Sequence, residues 1–220
     1  NKRILPWREN KDPYRIWISE IMLQQTRVEA VKPYFDRFME VLPTVYDLAK
    51  VDVDRLMKLW EGLGYYNRAR NLKAAAQTIV EEYGGQLPAD YDKLLSLKGI
   101  GMYTAGAIGS IAFELQVPAV DGNVLRVISR ITEDRQDIMK QSVRRQIEEN
   151  LLGIMPEETP GDFNQALMEL GAVVCVPNGP ARCEACPVSE YCLAYRHGTV
   201  EELPVKAPKK ERILQNRTVL

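Results

Sequence analysis

The four cysteines of the chain lie in one short stretch, at Cys175, Cys183, Cys186 and Cys192. Seven residues separate the first two, two separate the middle pair and five separate the last two. The N-terminal residues lack the apolar core of a signal peptide, so we expect a cytoplasmic protein, in which disulfides are rare. Four thiolates in one loop-rich segment indicate a metal centre. Zinc sites more often pair two Cys-x-x-Cys knuckles, and this segment has only one, so a [4Fe–4S] cluster is favoured over zinc.

Two carboxylates have settings that suit acid chemistry. Glu20 lies inside the apolar run from Ile16 to Leu23, and Asp121 precedes Gly122 at a predicted helix start. A lone buried glutamate is more often a structural residue, and Asp before Gly is more often a helix N-cap. However, apolar surroundings raise the pKa of a carboxyl group and make it a proton donor near neutral pH. An acid facing an anion would suit cleavage of a glycosidic bond, but the residues alone do not bring the two together.

A glycine pair follows a short predicted helix in the segment Leu97–Gly101, where Gly99 and Gly101 flank Ile100 and Lys98 precedes them. The pattern predicts a tight turn between two helices. It is either a plain helix C-cap or a turn whose free backbone N–H groups hold a phosphate without reading sequence.

A second glycine turn contains Gly62 and Gly64 and is followed by Tyr65 and Tyr66. The basic residues Arg68, Arg70 and Lys73 come next, on a predicted helix. Aromatic rings beside cations suit stacking on bases with phosphate contacts nearby. The alternative is that both rings fill the core and that the cations are merely solvated.

The rest of the chain has helical periodicity and no strand pattern. Hydrophobic residues make up 45% of the 220 residues, and the net charge is −1, so a nucleic-acid surface must be a local patch rather than a bulk positive field. No apolar run is long enough to cross a bilayer, and we expect a soluble protein with no membrane partner. Glu201–Lys206 and the basic run Lys209–Arg212 are typical of a solvated linker.

Five motifs in their family order resemble the adenine DNA glycosylases of the MutY type, within the helix-hairpin-helix superfamily of base-excision repair glycosylases. They are Ser19–Thr26, Gly62–Tyr66, Leu97–Gly101, Val120–Val124 and the cysteine cluster. The resemblance implies an all-α fold of two helical lobes flanking a DNA-binding cleft. It predicts a six-helix barrel lobe with the helix-hairpin-helix at 8–115, an iron–sulfur lobe at 116–200 joined by residues 1–7, and a linker tail at 201–220. Family members commonly continue into a MutT-like domain, and we expect this chain to be the catalytic region without it.

The resemblance also implies residue roles. Glu20 protonates the target adenine at N7, and Asp121 stabilises the oxocarbenium-like sugar while water completes the hydrolysis. Tyr103 and Asn123 support the transition state and position these carboxyls. The positions matching base or DNA contacts are Trp7, Arg8, Leu23, Gln24, Gln25, Thr26, Tyr65, Lys98, Gly99 and Gly101, of which Gln25 and Tyr65 match residues inserted into the duplex.

The implied activity is monofunctional removal of adenine paired with 8-oxoguanine or guanine in double-stranded DNA, by a monomer. An endonuclease III-like pyrimidine glycosylase with lyase activity is the nearest alternative, but it uses a lysine where this chain has Tyr103. A non-catalytic DNA-binding module is the other alternative and needs neither carboxylate. Two departures from the family pattern are the first cysteine spacing, seven residues instead of six, and Gln165, which stands where some members have an acidic residue.

Overall fold

The computed structural model describes residues 3–207, and within this range every regular element is a helix, as predicted. Of the linker tail predicted at 201–220, residues 201–207 are described, and they pack against the fold: Leu203 is buried and its carbonyl oxygen accepts a hydrogen bond from Arg130. The basic run Lys209–Arg212 and the other residues from 208 onward lie outside the described residues. The α-helices are α1 (Pro13–Leu23), α2 (Val28–Val41), α3 (Val45–Lys50), α4 (Val53–Trp60), α5 (Asn67–Tyr83), α6 (Tyr91–Ser96), α7 (Met102–Phe113), α8 (Gly122–Ile131), α9 (Gln141–Ile154), α10 (Pro160–Glu169) and α11 (Leu193–His197). Short 3-10 turns and one π-helical turn at Leu170–Val174 complete the set.

Local sequence signals account for the helix starts that position the site. The side chain of Asp12 accepts hydrogen bonds from the backbone N–H groups of Tyr14 and Arg15, and Pro13 occupies the first helical position of α1. Asp121 caps α8 in the same way through the N–H groups of Asn123 and Val124. Both capping carboxylates satisfy N–H groups that have no partner within their helix.

Helices α1 to α7 enclose the first buried cluster, whose largest fully buried side chains include Trp17, Phe35, Phe38 and Trp60. Seven helices lie between residues 8 and 115, one more than the six predicted. Helices α3 and α4 are separate because Thr44 and Asp52 each cap a new helix start.

A second buried cluster joins α7 to α8, α9 and α10. Helix α7 belongs to both clusters, because Ala105 and Ile108 face the first and Ala107 faces the second. Its small residues permit close approach, as the sequence predicts. A Cβ atom on Gly106 would lie only 2.2 Å from the carbonyl oxygen of Pro118.

The N-terminal segment contacts both parts of the molecule. Leu5 and Trp7 are buried in the first cluster, whereas the prediction joined residues 1–7 to the second lobe. Arg3 follows that prediction, since its guanidinium group binds Glu169 at the end of α10. The apolar side chains of Leu5 and Trp7 pack against the apolar surface of α1 and α2, whereas the charged side chain of Arg3 extends to the carboxylate of Glu169. The predicted division near residue 115 stays a prediction.

Candidate active site

A cleft of about 510 Å³ collects most of the predicted site residues. This volume is in the range of small-molecule sites, about 300–1,000 Å³. Its walls come from the N-terminal segment, from α1, α2 and the turn between them, and from α7, α8, α9, α10 and the π-helical turn. The predicted residues that line it are Trp7, Arg8, Glu20, Leu23, Gln24, Gln25, Thr26, Tyr103, Asp121 and Asn123.

Glu20 is buried on α1, with 7% of its surface exposed. The phenol of Tyr103, on α7, donates a hydrogen bond to its Oε2 at 2.6 Å. Burial raises the pKa of Glu20 to about 7, the negative charge of Asp121 adds to the increase, and the Tyr103 hydrogen bond and Arg8 oppose it. Because Oε2 accepts the hydrogen bond from the phenol, Oε1 is the oxygen on which the carboxyl proton can reside. The sequence prediction of a proton-holding Glu20 agrees with this setting.

Asp121 is held as a fixed acceptor at the start of α8. Its Oδ1 accepts the N–H groups of Asn123 and Val124, each at 2.8 Å, and its Oδ2 accepts the side-chain amide of Asn123 at 2.7 Å. A helix N-terminus stabilises negative charge. The plain reading of Asp121 as an N-cap is therefore correct, and the same residue also lines the cleft that contains Glu20.

The other predicted DNA contacts, Tyr65, Lys98, Gly99 and Gly101, do not line this cleft. Tyr65 and Tyr66 are exposed, at 62% and 39%, so the alternative in which they fill the core is wrong. Gln25, at the cleft, and Tyr65 both have positive φ, at 57° and 48°. This region is uncommon for residues other than glycine and often marks functional turns.

The glycine turn between α6 and α7 has one glycine under conformational demand. Gly99 has φ of +85°, and a Cβ atom there would lie 2.7 Å from the Cβ of Asn71. Gly101, in contrast, is extended and caps α7 without a side chain, and a Cβ there would meet no atom within 4 Å. The N–H groups of the first turn of α7 are therefore open to an approaching anion. Lys98 beside them is exposed.

Two of the basic residues after Tyr66 are not solvated cations. Arg68 donates to backbone carbonyls of two turns. Lys73 donates to the carbonyl oxygens of Ala49 and Val51 at 2.9 and 2.5 Å. The expectation that these cations meet phosphates or only water is wrong for both, because unpaired carbonyls at loop ends attract their donors instead.

All four cysteines line one pocket beside α8 and the π-helical turn, together with Arg130. Each is a free thiol, and the Nη1 of Arg130 lies 3.2 Å from the Sγ of Cys175. Within residues 3–207, no group of three or more His, Cys, Asp or Glu side chains is close enough to hold a single metal ion. The four thiols nevertheless line one pocket, and thiolates are ligands both for zinc and for iron–sulfur clusters.

Several cleft residues escape sequence reasoning. Arg3, Arg144 and Met168 line the cleft, and Arg144 donates to the carbonyl oxygen of Val120 at 2.8 Å. Glu169 does not line the cleft itself but accepts hydrogen bonds from two residues that do, Arg3 and Arg8, the latter at 2.8 Å. Nothing in their local sequence marks these residues, because they reach the cleft from elements far apart in the chain.

An adjoining cavity of about 230 Å³ shares Trp7, Arg8 and Glu20 with the cleft and contains Gln165. Gln165 donates to the carbonyl oxygen of Gly161 at 3.3 Å.

Within residues 3–207, no helix is long and apolar enough to cross a membrane.

Comparison with known proteins gives a family match over most of the site. A family model described as "HhH-GPD superfamily base excision DNA repair protein" matches residues 18–152, a range that contains Glu20, Tyr103 and Asp121. A curated relative, the adenine DNA glycosylase of Mus musculus, is 42% identical over 228 residues, covering 98% of this chain and 44% of the relative. The chain thus spans less than half the length of that relative.

Solved structures agree on the fold. A thermostable thymine-DNA glycosylase superposes with a TM-score of 0.78 and 32% identity, covering 90% of each chain. A trapped endonuclease III–DNA covalent intermediate superposes with a TM-score of 0.75 and 27% identity, covering 87% of this chain and 88% of the other. The all-helical fold is therefore shared with both of these DNA-repair structures.

Proposed function

Because the chain belongs to the HhH-GPD superfamily of base excision DNA repair proteins, we propose that it is a monofunctional DNA glycosylase that hydrolyses the N-glycosidic bond of adenine paired with 8-oxoguanine or guanine. The observation that carries the proposal is the meeting of Glu20 and Asp121 in one cleft, in opposite settings. The name of the mouse relative supports adenine as the base.

Glu20 is the general acid. Its pKa of about 7 leaves a large protonated fraction near neutral pH. Tyr103 donates its hydrogen bond to Oε2, so the other carboxyl oxygen, Oε1, can carry the proton that is donated to the base. Adenine is a poor leaving group until it is protonated, and N7 is the ring nitrogen that the family chemistry implies. Protonation there draws electrons from the glycosidic bond as that bond breaks.

Asp121 is the anion that stabilises the cationic sugar. Three N–H donors fix the orientation of its carboxylate, so no reorganisation is needed as positive charge develops. Asn123 supplies two of these donors and thereby positions Asp121. Water then adds to the sugar carbon and completes the hydrolysis.

Hydrolysis is favoured over lyase chemistry because no lysine lines the cleft within the described residues. A lyase needs an amine that forms a Schiff base with the sugar. Tyr103 occupies the position near Glu20 and donates a hydrogen bond instead. The adjoining cavity does contain Lys11, which is paired with Glu114.

Double-stranded DNA binds along a face formed by the glycine turn before α7, by Gln25 and by Tyr65. Gly99, Gly101 and Lys98 hold a phosphate at the N-terminus of α7, without reading sequence. Gln25 and Tyr65 enter the duplex at the lesion, which suits the exposure of Tyr65 and the positive φ angles of both. The target base must leave the stack to reach Glu20.

A [4Fe–4S] cluster held by Cys175, Cys183, Cys186 and Cys192 completes the proposal. The four thiols line one pocket without forming disulfides, which fits four ligands around a cluster. When bound, the cluster would tie the short turns that carry the last three cysteines to the end of the π-helical turn at Cys175, whose thiol receives a hydrogen bond from Arg130 of α8.

The test is single-turnover base release from duplexes with adenine opposite 8-oxoguanine, adenine opposite guanine, and an oxidised pyrimidine. We expect release of adenine only, and no adduct after borohydride treatment. Glu20→Gln and Asp121→Asn should each keep duplex binding and slow adenine release by roughly 10²-fold or more. Adenine release by Glu20→Gln at the native rate would show that Glu20 is only a buried structural acid, and a trapped adduct would favour a lyase.

A further inference from the structure

Resting on the proposed function, we propose that Arg68 is a positioning residue that joins the Gln25 turn (residues 24–26) and the Tyr65 turn (residues 63–65) into one rigid wedge. The wedge then enters the duplex as a unit when the base leaves the stack. The proposal assigns Arg68 no contact with DNA.

The contacts of Arg68 reach two segments about forty residues apart in the chain. Its Nη1 donates to the carbonyl oxygens of Ile21, Met22 and Gln24 at 2.9, 3.0 and 2.7 Å. These oxygens belong to the end of α1, where carbonyls have no partner within the helix.

The second nitrogen, Nη2, reaches the other turn. It donates to the carbonyl oxygens of Leu63 and Gly64 at 3.0 and 3.2 Å, and it lies 3.4 Å from the Oγ1 of Thr26. The guanidinium group also lies over the rings of Trp60 and Tyr65, with centroid distances of 5.4 and 5.5 Å. One side chain therefore contacts both turns and the ring of Tyr65 itself.

Only arginine meets this demand. Its planar group carries five donors in a fixed fork, whereas a lysine ammonium carries three from a single point. Both terminal nitrogens of Arg68 are engaged within the protein, so they are not free for a phosphate.

The positive φ angles explain why such a joint is needed. Gln25 and Tyr65 adopt the left-handed region, which is sterically unfavourable for residues other than glycine. Strained positions persist only where the surrounding structure fixes them. Arg68 fixes the carbonyl groups beside both residues, so the two side chains keep a constant separation and direction.

The first experiment compares Arg68→Lys with the native protein and with Arg55→Lys, the same substitution at an exposed position of α4. The probe is a duplex with 2-aminopurine beside the target adenine, whose fluorescence rises as the stack opens. At saturating protein, Arg68→Lys should lose most of this rise and release adenine at least tenfold more slowly, since small misplacements are costly. The pH dependence of release should not change, because Glu20 is untouched.

A purely structural role makes a different prediction. If Arg68→Lys lowers the melting temperature but gives the native fluorescence rise well below that temperature, the proposal is wrong. If the native protein itself neither opens the stack nor releases adenine, the proposed function is wrong, and the wedge fails with it. If the native protein is active and Arg68→Lys shows the native fluorescence rise and the native rate of adenine release, the wedge proposal is wrong but the proposed function stands.

A second measurement needs no variant. The amide of Thr26 donates to the carbonyl of Leu23 at 3.2 Å, and the amide of Leu63 donates to that of Trp60 at 3.1 Å. If the two turns form one unit, native-state hydrogen exchange should give both amides the same opening free energy. Different opening free energies for the two amides would mean that the turns open independently, and this would overturn the proposal.

Discussion

In the proposed mechanism, Glu20 and Tyr103 form a side-chain pair that sets the pKa of the general acid. Burial raises the pKa of the carboxyl to about 7, and the phenol opposes the increase by donating to Oε2. Burial also raises the pKa of Tyr103, so its phenol keeps its proton over the working pH range. The tyrosine therefore acts as a permanent donor that holds the acid in place and moderates its pKa.

Replacing this donor should change the pH profile in a defined direction. In Tyr103→Phe the pKa of Glu20 should rise, because the hydrogen bond that lowers it is lost. The fall in single-turnover adenine release with increasing pH should then occur at a higher pH than in the native protein. Tyr191→Phe, at an exposed tyrosine, is the matched control. An unchanged midpoint would mean that Glu20 is not the titrating acid.

Glu20 should also make stability depend on pH. Its folded pKa of about 7 exceeds the ordinary 4.5, so the stability it contributes is complete below about pH 4.5 and is lost as pH rises through about 7. Glu20→Gln carries no charge at either pH, so it should gain stability relative to native protein between pH 5 and pH 8, by roughly 2–3 kcal/mol. Urea unfolding at the two pH values measures this gain. The gain should be absent in Glu149→Gln, an exposed glutamate on α9, and a pH-independent difference in Glu20→Gln would contradict the raised pKa.

Among the helices and turns, those with local signals could be read from the sequence. Asp12 and Asp121 indicate the starts of α1 and α8, because a capping side chain bonds only to the backbone of the next three residues. The glycine turn before α7 is visible for the same reason. The role of Arg68 is not, because its partners belong to turns that become neighbours only after folding. A basic residue beside tyrosines has the same local sequence whether it meets phosphates or carbonyls.

The two glycines of that turn should respond differently to substitution. Gly101→Val should fold normally, since its backbone is extended and a Cβ meets no atom within 4 Å. It should nevertheless bind all duplexes about tenfold more weakly or worse, because the side chain obstructs the N–H groups that a phosphate approaches. Gly99→Ala should instead lose about 1–3 kcal/mol of stability, since it combines positive φ with a contact of 2.7 Å. Melting temperatures and duplex titrations at fixed salt separate the two, and a loss in Gly101→Val confined to one mismatch would contradict phosphate binding.

At the scale of the whole molecule, the cleft is an assembly of distant segments. The N-terminal segment brings Trp7 and Arg8, α1 brings Glu20, and the elements after residue 100 bring Tyr103 and Asp121. Composition and periodicity cannot place such segments together, and resemblance to a family supplied their grouping. Individual contacts between distant segments could not be predicted in this way. One example is Glu169, at the C-terminal end of α10, whose carboxylate accepts a hydrogen bond of 2.8 Å from Arg8.

Changes in the cysteine pocket should affect iron content, stability and DNA binding rather than the proposed acid chemistry of Glu20. The purified protein should be brown, with about four irons per chain, as a [4Fe–4S] centre requires. Cys186→Ser should lose iron and lower the melting temperature or the affinity for duplex DNA, because metal binding at such sites contributes folding free energy. Cys186 is not among the residues lining the cleft, so adenine release per bound complex should stay near the native rate.

Ser189→Ala is the matched control for this variant, since Ser189 lines the same pocket without a thiol. It should keep the colour, the iron and the melting temperature of the native protein. Iron and zinc analysis of native protein, followed by single-turnover release at saturating Cys186→Ser, distinguishes the possible outcomes. Colourless protein with one zinc per chain would rule out the cluster. A Cys186→Ser protein that binds duplex normally but releases adenine roughly 10²-fold more slowly would instead mean that the cysteine segment supports the catalytic step, because a loss of that size at unchanged binding is what loss of the general acid produces.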